Sequence, residues 1–267
     1  MKIGFMQGRL FRSENKKFVQ YFPSKTWKKE INLGKKNAFH LMEWTANLEN
    51  IKKNPVYNLK LANKAKKIIK NCNLKVNSLT CDFFMQKPFF KFSNKDKYIN
   101  LLKKIIDIGQ FMGIKYFILP LVDNSSIKNL NHENILINEL LKISRSFDHK
   151  SMILFETDYP PRNVLKFIKK FNGKFGINYD TGNSASLNYD FNDEIKYFEY
   201  VKNIHIKDRL INGPTVRLGK GNWNYRKFFS LIKNRYNGNL ILQTARSKNE
   251  NELEEILINR NFVKNFL

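Results

Sequence analysis

The sequence predicts an α/β protein built as a single (β/α)₈ barrel, a TIM barrel, over residues 1–267, and three observations carry that expectation. Short apolar runs alternate with amphipathic helical patterns along the whole chain, which is the signature of parallel βαβ units. Eight such runs can be placed within a length that suits one barrel of this kind. Three runs in the second half each lead into a group able to bind a metal: Ser151–Phe155 into Glu156, Phe175–Tyr179 into Asp180, and Val201–Ile204 into His205. In a parallel barrel the C-terminal ends of the strands share one rim, so these three side chains are expected to converge there.

The elements follow in order. Lys2–Met6 reads as the first strand and leads into Gln7-Gly8-Arg9-Leu10. Phe11–Leu33 is a longer insertion with a helical piece around Trp27. Asn37–Trp44 reads as the second strand, with Phe39, Leu41 and Glu43 on one face and His40, Met42 and Trp44 on the other. Apolar residues at 59, 62, 65, 68 and 69 predict a helix over Leu59–Lys70. Leu74–Leu79 is the third strand, followed by Thr80-Cys81-Asp82. A helix over Lys95–Met112 buries Leu101, Leu102, Ile105, Ile106 and Ile108 and is closed by Gly113. Tyr116–Pro120 is the fourth strand and Glu133–Phe147 the next helix. Helical patterns at Asn163–Phe171 and Asp193–Tyr200 separate strands five, six and seven. The loop Leu210–Trp223 holds Gly213-Pro214 and Gly219-Lys220-Gly221. A helix over Tyr225–Arg235, an eighth strand at Asn239–Leu242 ending in Gln243-Thr244-Ala245-Arg246, and a helix over Glu250–Phe262 complete the chain. No linker or low-complexity tract divides it, so one domain is expected.

Composition excludes several classes. There is no run of ~18 apolar residues, so no membrane span is expected. The N-terminus lacks the form of a signal peptide and reads directly as a strand. Two cysteines, Cys72 and Cys81, make neither a disulfide framework nor a zinc cage, which fits a reduced, cytoplasmic setting. The net charge of +25 raises nucleic acid as a partner. The lysines, however, are spread in pairs over helix faces, as at 66–67, 103–104 and 169–170, with no dense basic tract. No specific nucleic-acid partner is therefore expected; the expected partner is a small molecule, and the chain is open to forming a homo-oligomer.

The candidate site is built from strand ends. A carboxylate such as Glu156, directly after a buried run, must be solvated, paired or metal-bound. Asp158 lies two residues on and is aimed to the same side, as a substrate or supporting group. Asp180 opens Asp-Thr-Gly-Asn, which is also good turn chemistry. Period two turns His205 and Lys207 inward together. Gln243 holds the corresponding place on the eighth strand and offers an amide oxygen, a weaker and neutral donor. Gln7, Glu43, Asp158, Asn183 and Asp208 are the candidate substrate contacts. Arg209, Arg217, Lys220 and Arg246 stand around the rim as candidates for an anionic group, with Gly219-Lys220-Gly221 where barrels often hold phosphate.

Glu156, Asp180-Thr181-Gly182-Asn183, His205-Ile206-Lys207-Asp208 and the end of the eighth strand together resemble the xylose isomerase-like TIM-barrel family. Met6-Gln7-Gly8-Arg9-Leu10 and Leu242-Gln243-Thr244-Ala245-Arg246 resemble its sugar phosphate isomerase/epimerase-like branch. The resemblance covers nearly the whole chain. It implies a divalent metal, Mn²⁺, Mg²⁺ or Zn²⁺, held by Glu156, Asp180, His205 and Gln243. It further implies that the residues on strands five and eight, Glu156 and Gln243, stand at the acid–base positions. The chain departs from the family pattern at Gln243, where a glutamate is usual, and at Asn183, where many members carry histidine.

The implied chemistry is proton abstraction beside a carbonyl of a sugar or sugar phosphate, giving isomerisation or epimerisation. Glu156 is the evident base, because an amide at Gln243 cannot exchange a proton near neutral pH. Lys207 and Asp158 remain as sources of a second group. A single base returns the proton to the face it left, which suits an aldose–ketose shift. Two other classes stand beside this one: a DNA-repair endonuclease of the same barrel type, which would need many more histidines than the four present, and a barrel that binds a sugar without turning it over.

Overall fold

Each apolar run expected as a strand pairs in parallel with its neighbours, and the sheet closes on itself. In the computed structural model, which describes residues 1–12 and 20–267, the barrel strands are β1 (Lys2–Met6), β2 (Leu41–Thr45), β3 (Lys75–Thr80), β4 (Tyr116–Leu121), β5 (Met152–Thr157), β6 (Phe175–Asp180), β7 (Val201–Ile206) and β10 (Asn239–Leu242). They close in the order β1-β10-β7-β6-β5-β4-β3-β2. Between β7 and β10 a small antiparallel pair, β8 (Asp208–Arg209) and β9 (Thr215–Val216), folds over the rim. Part of the insertion expected at Phe11–Leu33 falls on residues 13–19, which lie outside the described residues; its helical piece is present as Trp27–Lys36.

Helix boundaries move where local hydrogen bonding outweighs the apolar pattern. The helix expected from Glu133 begins at Leu130, because the Asn129 side chain accepts from His132 N at 2.9 Å and caps it there. The pattern at Asp193–Tyr200 resolves into a single α-turn, Phe191–Glu194, capped by Asp190, and a 3₁₀ segment, Ile195–Tyr200. The second strand starts at Leu41 rather than Asn37. Ala38 N and Phe39 N bond back to Lys35 O and Gly34 O, and Ala38 takes φ 56°, so this stretch finishes the preceding helix.

Aromatic residues fill the space between sheet and helices. Phe155 of β5 packs on Phe167, Phe171 and Phe175, with ring centroids 5.0, 4.9 and 5.8 Å away. The fully buried Trp44 donates its indole N–H to Asn54 Oδ1 at 2.9 Å. Inside the barrel the filling is unusual. A small apolar cluster of Met6, Leu41 and Ile241 is joined by a ladder of buried asparagines. Asn239 Nδ2 donates to Asn77 Oδ1 at 3.0 Å and to Asn203 Oδ1 at 3.1 Å. Asn203 Nδ2 donates to Asn178 Oδ1 at 2.7 Å and to Glu43 Oε2 at 2.9 Å. Two of these bonds, Asn239 to Asn77 and Asn203 to Glu43, link β10 with β3 and β7 with β2, strands that are not neighbours, so they cross the barrel interior. The paired amides satisfy one another where apolar side chains usually fill such a barrel. No helix of the described residues is long and apolar enough to cross a membrane.

Candidate active site

Adjacent strands β5, β6 and β7 carry Glu156, Asp180 and His205. One ligand atom from each lies within 4.8 Å of the other two, and all three side chains are buried. His205 stands at the centre. Its Nδ1 lies 3.0 Å from Glu156 Oε2 and 4.0 Å from Asp180 Oδ2, and its Nε2 lies 2.6 Å from Glu43 Oε1. Glu156 is held by the amides of Asn178, at 2.9 Å from Oε2, and Asn183, at 3.1 Å from Oε1. Asp180 caps the short helix Thr181–Ser186, its Oδ1 accepting from Gly182 N at 2.7 Å and Asn183 N at 2.9 Å.

The other oxygen of Asp180 is the informative one. Oδ2 is buried and accepts no hydrogen bond among the described residues, with the Lys207 ammonium 3.7 Å and His205 Nδ1 4.0 Å away. A buried carboxylate oxygen left without a partner is costly, and a cation at the focus of the three side chains would satisfy it. Two carboxylates and one imidazole are a suitable donor set for a divalent ion. The residues therefore fit the metal that the sequence implies.

Charge balance points the same way. Burial would lower the His205 pKa, but the charges of Glu43 and Glu156 outweigh it and raise the imidazole to about 10. Burial opposes ionisation of Glu156, yet the hydrogen bond and charge of His205 hold it below the usual carboxylate range. Asp180 is pushed up, chiefly by burial and partly by the charge of Glu156. In the metal-free protein a proton on His205 and the ammonium of Lys207 together supply the cationic charge.

Above this centre lies a cavity of about 380 Å³. Of the residues singled out in the sequence, Glu156, Asn183, Lys207, Arg209 and Gln243 line it. Gln243 is fixed at both ends: Oε1 accepts from Lys207 Nζ at 3.2 Å, and Nε2 donates to Gln20 Oε1 at 2.7 Å and to Met6 Sδ at 3.8 Å. Among the cavity residues that had not been singled out are two charged and buried ones, Arg9 and Asp82. Asp82 opens the helix Asp82–Gln86 and accepts from Gln20 Nε2 at 2.9 Å. Burial, helped by the charge of Glu156, pushes its carboxyl up to about 8. The signal for Asp82 was present, since it follows the third apolar run much as Glu156 follows the fifth. Arg9 had no such signal beyond its place at the end of the first strand.

Several expected contacts lie elsewhere. Glu43 is wholly buried beneath the site, where its Oε1 also accepts from the Thr80 hydroxyl at 2.6 Å; it holds His205 and does not face the cavity. Gln7 is likewise fully buried, its Oε1 accepting from Thr45 N at 3.2 Å. Asp158 is engaged by the Ser126 hydroxyl outside the cavity. Asp208 accepts from Gly219 N at 2.9 Å, Gly221 N at 3.0 Å and Trp223 N at 3.2 Å. The amides of the Gly219-Lys220-Gly221 segment are therefore spent within the loop rather than offered to a phosphate. A Cβ at Gly221 would lie 2.2 Å from Asp208 Oδ1, which is why glycine stands there. Lys220 is exposed, and Arg217 is paired with Glu255 at 2.8 and 2.6 Å. Arg246 donates to Gly8 O at 2.5 Å and Phe11 O at 3.3 Å, behind the cavity wall.

The sequence matches the family described as xylose isomerase-like TIM barrel over residues 31–264. No match is found among curated proteins. Solved structures share the fold at low identity. A D-psicose 3-epimerase from Clostridium cellulolyticum H10, solved with D-tagatose, is 12% identical with a TM-score of 0.70, covering 100% of this chain and 99% of that one. The IOLI protein with a binding zinc atom is 13% identical with a TM-score of 0.75, covering 100% and 99%. A xylose isomerase-like TIM barrel protein from Mycobacterium smegmatis in complex with magnesium is 13% identical with a TM-score of 0.65, covering 98% and 97%.

Proposed function

The chain belongs to the xylose isomerase-like TIM barrel family, and from that premise we propose that it is a divalent-metal-dependent isomerase or epimerase acting on a sugar or sugar phosphate. One observation carries the reading. Glu156, Asp180 and His205 converge on one buried point, Glu156 also lines the cavity, and Asp180 Oδ2 lacks any hydrogen-bond donor among the described residues. Zinc in one structural neighbour, magnesium in another and a ketose in a third support the same class.

A divalent ion held by Glu156, Asp180 and His205, with the Gln243 oxygen beside it, would draw charge from a sugar carbonyl and acidify the neighbouring C–H. Glu156 is ionised at neutral pH and fixed by Asn178 and Asn183, so it is the base that takes this proton. Lys207 Nζ lines the cavity within reach of Gln243 Oε1 and supplies a cation beside the oxygen on which negative charge develops. Gln243 is held as an amide with both ends engaged and exchanges no proton. Delivery of the abstracted proton by Glu156 to the neighbouring carbon on the same face, with the hydroxyl proton passing to the former carbonyl oxygen, gives the aldose–ketose shift. Asp82 is the further buried carboxyl lining the cavity, and its entry into the proton path is what would turn that shift into inversion.

The test is metal content of the purified protein, followed by incubation of EDTA-stripped and Mn²⁺-reloaded protein with a panel of aldoses, ketoses and their phosphates. Metal-dependent interconversion of one pair is the expected result. A fully loaded protein that binds sugars but turns over none of them would be a binding barrel instead.

A further inference from the structure

Arg9 follows β1 directly and lines the cavity above the metal centre. The residue is 3% exposed, and its Nε and Nη1 are buried with no hydrogen-bond partner among the described residues. A guanidinium is among the most expensive groups to bury unpaired. Here burial, with the adjacent charge of Arg246, lowers its pKa to about 9, and Glu252, Asp82 and Glu30 offset this only in part.

The backbone on either side of Arg9 is clamped. The buried Glu30 carboxylate accepts from Gly8 N at 2.8 Å and from Leu10 N at 3.0 Å. Arg246 donates to Gly8 O on the other side of the turn. Gly8 takes φ +86°, a conformation that side chains other than glycine's rarely adopt, and a Cβ there would lie 2.8 Å from Tyr21 O. Glu30 and Arg246 thus both hold the loop backbone, and Arg9 is the residue that this loop presents to the cavity. The carboxylates that act on it most are otherwise engaged: Glu252 lies 3.8 Å from Arg246, and Asp82 is bonded to Gln20 and carries a raised pKa.

We propose that Arg9 forms an anion subsite in this cavity, taking the phosphate or carboxylate of the sugar whose reacting carbons sit over Glu156. The planar fork of a guanidinium matches the oxygen pairs of either group. This subsite rests on the sugar reading above, and it replaces the rim residues Lys220 and Arg246, whose side chains do not line the cavity.

Titration calorimetry of the Mg²⁺-loaded protein tests it, with D-fructose, D-fructose 6-phosphate, D-glucuronate and inorganic phosphate as probes. The wild type should bind at least one anionic sugar roughly tenfold or more tightly than fructose. Arg9→Met should abolish that advantage while leaving fructose unchanged, and Arg9→Lys should keep part of it. Preference between fructose 6-phosphate and glucuronate identifies the anion. Equal affinity for neutral and anionic sugars in the wild type overturns the proposal. So does an equal loss for both in Arg9→Met and Arg9→Lys, which would mark Arg9 as a packing residue. If no sugar binds but inorganic phosphate does, in an Arg9-dependent way, the sugar reading fails and the anion subsite stands. If neither binds, both fail.

Discussion

His205 Nε2 and Glu43 Oε1 meet at 2.6 Å across the barrel, 162 residues apart in sequence. Each is fully buried, and the other nitrogen of His205 faces Glu156. A carboxylate behind a ligating imidazole fixes which nitrogen faces the metal and makes that nitrogen a better donor. Replacing Glu43 by glutamine should therefore lower Mn²⁺ affinity roughly 10- to 100-fold without touching the cavity. Competition against a chelating dye would read this, and an unchanged affinity would show that His205 is not a ligand.

Metal uptake should depend on pH through the same histidine. With its pKa at about 10 in the metal-free protein, His205 carries a proton that an entering ion must displace. Affinity should rise with pH, by about tenfold per unit between pH 6 and 9 for one proton released. Calorimetry in two buffers of different ionisation enthalpy counts that proton directly. A release of none would mean that the ion leaves His205 protonated.

Product analysis in D₂O separates the two reaction types. With Glu156 as sole base, the turned-over sugar should be an aldose–ketose pair with deuterium on a single face. Gln243→Glu, which places a carboxylate where the wild type has an amide, should add C3 epimer to the products. A wild type that forms a C3 epimer at a rate Gln243→Glu does not improve would require another second group. Asp82→Asn is the variant to make next in that case.

Folding stability should carry a pH signature from Glu194. Burial raises its carboxyl to about 7, despite donors at Tyr179 Oη, 2.6 Å away, and Ser184 Oγ, 2.5 Å away. A raised pKa means that the folded state holds the proton more tightly than the unfolded chain. The stabilisation is full below about pH 4.5 and is lost as pH rises through about 7. Glu194→Gln mimics the protonated form. It should be more favourable relative to wild type at pH 8 than at pH 4.5, by up to about 3 kcal/mol in urea unfolding. A difference that does not change with pH would place the wild-type carboxyl near its ordinary value.

Duplex DNA should bind only without sequence preference, with steep weakening on added salt, and should not be cut at abasic sites. The positive charge is large but dispersed. His205 is the one histidine in the one cluster of metal-ligating groups found among the described residues. Incision of an abasic duplex by metal-loaded protein would overturn this.

The sequence made the barrel legible because strand and helix periods differ and because a charged residue closing an apolar run stands out. Glu156, Asp180 and His205 were found by that contrast, as Asp82 could have been. Glu43 was seen to share a face with Leu41, but nothing local shows that the inner face of β2 looks across at β7. Contacts between strands that are not neighbours depend on closure and register, which a single-strand pattern does not contain. Loop chemistry was misread for a related reason. A glycine-rich stretch offers free amides to phosphate only if no side chain takes them first, and Asp208 takes three in its own loop. Arg9 lies in a segment that carries the family resemblance, but nothing local marks its role; that comes from two guanidinium nitrogens left without a partner among the described residues, which is a property of the folded surroundings.

The asparagine ladder from Asn77 through Asn239 and Asn203 to Asn178 ends on Glu156. The lower half of this barrel is therefore wired to Glu156, the base of the proposed reaction. Barrel enzymes are commonly re-engineered by exchanging loops on the reacting face while the other end is left as an inert support. That separation does not hold in this protein. A new substrate loop grafted onto the rim would inherit a Glu156 carboxylate whose position is held partly from beneath. Conversely, a screen for altered rate can reach Glu156 through positions such as Asn239 that no substrate touches.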